Sequence, residues 1–212
     1  MNSTTSNLAQ TFMSFLVCGL ALLGIGSVGY FLATGGANDQ FADYPLVANS
    51  HGIFGAVYLL LAPLQFSKGL RNKYLNFHRW AGRLLLILGL IIGTSALFIG
   101  IIIPYSGFSE QLIIGFFGSL FLVSLIISYK SIRAKKIQLH REWMIRALAI
   151  GLSIATMRLI FVPVLILAEL SRQQTEAWSI ISFTIAFVIH CSVAEFWIRR
   201  TREPVRISGA NI

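Results

Sequence analysis

Four histidines, His51, His78, His140 and His190, fall inside or at the borders of long apolar runs. Neutral imidazole is the usual axial ligand of a b-type haem, and helical bundles hold such haems between facing helices. All four are therefore candidate cofactor ligands. Haem b is the candidate cofactor, with a quinone or a redox membrane complex as the implied partner. Depth complicates the pairing. Counted along the runs, His78 and His140 sit at one edge, His190 lies roughly 10 Å deeper on the same side, and His51 stands alone near the opposite edge. The alternative for His190 is an interhelical hydrogen-bonding residue.

Buried charge gives a second set of candidates, because an ionisable side chain inside a bilayer is costly. Arg158 and His51 fall at similar depth, with Tyr58 one or two turns deeper. A buried arginine wants a counter-charge. His51 is a poor one, which leaves room for an anionic or carbonyl-bearing ligand. Otherwise Arg158 snorkels to the headgroups or pairs with Glu169. At the other edge Arg83 and Arg146 follow His78 and His140 by five and six residues. Glu195 can neutralise one of them, and Glu142 stands four residues before Arg146, the favoured order for a helical pair. With Trp80, Trp143 and Trp197 these residues read as a charge-paired interfacial layer.

The elements that carry these residues follow from composition. Hydrophobic residues make up 56% of the 212 and charged residues 12%, and mean hydropathy is +0.74. A soluble domain carries about 25% charged residues, so the chain reads as a polytopic membrane protein with one compact unit. The net charge of +9 does not imply nucleic acid, since the basic residues lie between apolar runs. A spanning helix needs about 20 apolar residues. Six runs qualify: 12–33, 46–66, 77–103, 111–129, 143–168 and 177–198. They are continuous rather than alternating, which favours helices over barrel strands. The expected fold is an all-α integral membrane bundle of about six transmembrane helices. Cys18 and Cys191 lie within such runs and read as buried free thiols. Small residues in the first, third and fourth spans read as packing faces, and Pro63 and Pro163 as kinks.

Thirteen of the seventeen Lys and Arg residues fall in the second and fourth connections and the C-terminal tail. The positive-inside rule then places both termini in the cytoplasm. The second and fourth connections also share a phrase. Lys68-Gly69-Leu70-Arg71-Asn72-Lys73-Tyr74-Leu75-Asn76-Phe77-His78-Arg79 recurs as Lys130-Ser131-Ile132-Arg133-Ala134-Lys135-Lys136-Ile137-Gln138-Leu139-His140-Arg141. This predicts a duplicated helical hairpin, with two parallel copies related about an axis along the membrane normal.

Three phrases carry a resemblance. They are His51-Gly52 with Tyr58 and Pro63-Leu64-Gln65-Phe66; His78-Arg79-Trp80-Ala81-Gly82-Arg83; and His140-Arg141-Glu142-Trp143-Met144-Ile145-Arg146 followed by Arg158. On these the chain resembles the bacterial multi-pass membrane family catalogued as domain of unknown function 2306. The resemblance implies a bacterial cytoplasmic (inner) membrane location and no particular activity. A fainter similarity, resting on histidines in helices, runs to b-type transmembrane cytochromes and to membrane proteins of haem-copper oxidase assembly. Three functions remain open: a haem- or quinone-linked redox protein, a small-molecule or lipid carrier or binding protein, and a non-catalytic assembly subunit. No nucleotide loop, Gly-x-Ser-x-Gly or His-Glu-x-x-His pattern is present.

Overall fold

The computed structural model describes residues 3–33 and 41–202. Asp39 and the basic tail beyond Arg202, including Arg206, lie outside the described residues. Seven helices follow in order: α1 (Ser3–Ala33), α2 (Pro45–Phe66), α3 (Lys68–Lys73), α4 (Leu75–Ile102), α5 (Gly107–Arg133), α6 (Ile137–Leu167) and α7 (Arg172–Thr201). Of these, α2, α4, α5, α6 and α7 are long and apolar enough to cross a membrane, and α1 holds a shorter apolar stretch, Ser14–Tyr30. The helical membrane bundle read from the sequence is what the chain forms. The short α3 was not anticipated. It lies in the second connection, where the Ser67 side chain accepts a hydrogen bond from the Leu70 amide and caps it.

Local chemistry sets the boundaries. Pro45 opens α2, where its missing N–H costs nothing. Ser171 and Gln174 close a capping box at the start of α7. Lys135, with φ 58°, takes the left-handed position after α5 and turns the chain within three residues into α6. Pro63 and Pro163 lie inside helices that continue past them.

Consecutive spans pack side by side, and α1 closes on α6, so α1, α2, α4, α5 and α6 form a ring with α7 outside against α6 and α5. Close approach of α4 and α5 depends on glycine. A Cβ on Gly89 would stand 2.7 Å from Leu125 Cδ1, and one on Gly118 would stand 2.8 Å from Leu97 Cδ2. Tight backbone approach replaces the hydrophobic drive that a lipid surround cannot supply. Gly115 faces open space instead, as do Gly19, Gly26 and Gly29 of α1, where only Gly24 packs closely, against Leu59. The expected packing face of α1 is thus narrower than its glycines suggest. Both cysteines are free; Cys191 is half-buried, but Cys18 is exposed rather than buried, on a face that a bundle turns to lipid.

Candidate functional site

Tyr58 marks the middle of the ring. It is 3% exposed. The hydroxyl end of its ring lies between Gly89 of α4 and Gly151 of α6, at 3.5 and 3.6 Å from the positions a Cβ would take there. Phe121 of α5 meets it edge-on at 6.1 Å. Any side chain on either glycine would compete for this slot.

Two turns from Tyr58, toward the end that carries Asp43, Glu110, Glu169 and Glu176, four helices bring polar groups together. From α2, His51 Nδ1 lies 2.9 Å from Ser95 Oγ of α4. Ser95 donates its own proton to the Ile91 and Ile92 carbonyls at 2.8 and 3.0 Å. Its oxygen is therefore the acceptor for His51 Nδ1–H, and Nε2 keeps a lone pair. From α6, Arg158 Nη1 donates to Ser27 Oγ of α1, and Ser27 passes its proton to the Gly24 carbonyl at 2.7 Å. Arg158 and His51 thus reach different hydroxyls, Ser27 of α1 and Ser95 of α4, on the same side of Tyr58. The ion pairs among the described residues are Arg146–Glu195, Arg172–Glu176 and Arg202–Glu142. Glu169 is not the partner of Arg158.

At the opposite, basic end the second copy of the repeated phrase is tied down. Arg146 forks onto Glu195 of α7 at 2.6 and 3.1 Å and lies over the Trp143 ring at 4.6 Å. Glu142 does not pair with Arg146 along α6. It accepts from Arg202 at 2.9 and 2.8 Å and from Gln138 at 3.1 Å, because α7 brings a cation into direct reach of its carboxylate. That carboxylate makes the Arg202 guanidinium still more basic than usual. His140 Nδ1 lies 2.7 Å from Ser128 Oγ. In the first copy, Arg83 is exposed, and His78 faces the charges of Arg71, Arg79 and His140.

His190 of α7 meets Thr156 of α6, with Nε2 2.7 Å from Oγ1, an interhelical bond. Three of the four histidines thus meet separate hydroxyls, His51 on Ser95, His140 on Ser128 and His190 on Thr156. No group of three or more His, Cys, Asp or Glu residues converges among the described residues. The hydroxyl partners Ser27, Ser95, Ser128 and Thr156 had no signature in the sequence. Gln65 did have one, since it follows His51 and Tyr58 at intervals of seven residues.

A family model described as a predicted membrane protein, DUF2306, matches residues 49–198. The chain belongs to this family. The matched range runs from α2 into α7 and includes every candidate site residue except Ser27, which α1 contributes from outside it. No curated protein and no solved structure matches the chain.

Proposed function

We propose that this membrane protein binds, within the bilayer, an apolar molecule whose head carries an acidic oxygen or a carbonyl, and that Arg158 and His51 hold that head. One observation carries the reading. Arg158 lies in a spanning helix with the Ser27 hydroxyl as its hydrogen-bond partner and, among the described residues, no carboxylate in ion-pair reach. A guanidinium presents five donors in a fixed fork suited to planar oxygen groups. On the same side of Tyr58, His51 Nε2 is an acceptor. Donor and acceptor together suit a head that can both accept and donate, such as a fatty acid, a lipid phosphate or the quinone–quinol pair. Carriage of such a molecule and redox use of a quinone both begin with this binding step.

The test uses the purified full chain in lipid nanodiscs, titrated with a short-chain benzoquinone and separately with a long-chain fatty acid. Arg158→Ala removes a charge-assisted bond, and the probe that binds should bind more weakly by about tenfold or more. Failure of both probes to bind, or unchanged affinity in the variant, overturns the reading. Haem added to the same preparation supplies the competing arm. His78 and His140 at the basic end are the candidate ligands for that arm, and a Soret band lost on His140→Ala would move the function there.

A further inference from the structure

One face of α2 carries His51, Tyr58 and Gln65, each seven residues from the next. Seven residues are two turns, or about 10.5 Å of helix, and return a side chain to nearly the same face. Each of the three meets α4 at a matching level. His51 reaches Ser95, Tyr58 lies on Gly89, and Gln65 Oε1 stands 3.5 Å from where a Cβ on Gly82 would be. On α6 the same step leads from Gly151, beside the Tyr58 ring, to Arg158. A row of polar groups therefore descends through the bundle, with glycines of α4 and α6 making room for the Tyr58 ring.

The middle of this row is unsatisfied. The Tyr58 hydroxyl and the Gln65 Nε2 are both buried without a hydrogen-bond partner. An unpaired buried polar group costs about 1–3 kcal/mol, and two in succession on one face have water as their natural partner. The row continues to the basic end. His78 precedes Gly82 by one turn of α4.

The geometry points to a hydrated half-channel in which Gln65 and Tyr58 hold a file of waters that carries protons between the basic end of the bundle and His51. Along it, the Tyr58 O–H gives its proton to one water as the oxygen takes a proton from another, so the side chain never ionises and no atom is gained or lost. At its end the His51 Nε2 lone pair is the acceptor, because Nδ1–H is held by Ser95. The groups that act on His51 are Ser95 and the Ile92 carbonyl of α4 and the Arg158 cation of α6. Arg158 opposes a lasting second charge on the imidazole, so a proton arriving there is handed on. The proposed ligand-binding function is needed only to say what receives that proton; the track itself stands without a ligand.

Nuclear magnetic resonance of the full chain in lipid nanodiscs, with 15N-labelled histidine, reads exchange of the His51 ring proton with water. His51→Gln identifies the signal. Exchange should be fast in the unaltered chain. It should slow at least tenfold in Tyr58→Phe, which keeps the ring between its two glycines, and in Gln65→Leu, with His78 unchanged. Arg158→Ala should leave it fast while removing ligand affinity, so failure of the track and failure of the binding site are told apart. If Tyr58→Phe fails to fold, Gln65→Leu carries the comparison alone. Slow exchange in the unaltered chain, or equally fast exchange in the track variants, overturns the half-channel.

Discussion

The two copies of the basic phrase began alike in sequence and end differently in structure. The second, at the junction of α5 and α6, is bound on every side. Ser128 holds His140, Glu195 holds Arg146, Glu142 holds Arg202 and Thr201 holds Arg141 at 2.9 Å. The first, at the junction of α2 and α4, has an added short helix and an exposed Arg83. One residue accounts for much of the contrast. His140-Arg141 is followed by Glu142 before its Trp, whereas His78-Arg79 runs straight into Trp80. The extra carboxylate gives the second copy a buried anchor for the end of α7. The first copy faces no such helix, since α7 packs on α6 and α5. The repeated phrase has become a latch in one place and a more exposed connection in the other.

Substitutions can break that comparison. Arg146→Ala should have the largest effect, because it strands Glu195. The pair is partly exposed, so we expect about 1–2 kcal/mol rather than the full value of a buried pair. The unfolding temperature in detergent should then fall by about 4 °C, with Glu195→Ala non-additive in the double variant. Glu142→Gln should have a smaller and local effect. Backbone hydrogen exchange at residues 198–201 should quicken by about tenfold as the end of α7 loosens, while the centre of α7 stays protected. Arg83→Ala should be smallest, within about 0.5 kcal/mol of no change. A loss at Arg83 equal to that at Arg146 would show that the two copies do not differ in this way.

Much of the bundle was legible in the sequence because each spanning helix must satisfy its own backbone in lipid. Long apolar runs can do little else: five of the six runs fall in helices long and apolar enough to span, and the first in a shorter apolar stretch, Ser14–Tyr30. The boundaries at Pro45 and Ser171 follow from residue chemistry in the same way. The candidate site was legible only in part. Arg158, His51 and Tyr58 were visible as polar residues out of place, with His51 and Tyr58 on one face of α2. Their partners were not visible. Ser27, Ser95 and Thr156 are ordinary small residues of apolar helices, and nothing local marks one hydroxyl as the acceptor for a guanidinium and another as solvent-facing. The exchange of partners at the basic end was hidden for the same reason. Glu142 and Arg146 are spaced to pair along α6, but α7 offers each a better partner across the interface.

The sequence by itself determined that this is a helical membrane protein, since composition and run length are properties of the chain alone, and the match over residues 49–198 places it in the DUF2306 family. Only the tertiary structure decided which polar groups meet. Ring closure of α1 onto α6 puts Ser27 on Arg158, and glycines from two helices make room for Tyr58 at the centre. Those contacts join residues far apart in the chain, and their distances are set by helix packing rather than by spacing along any one helix.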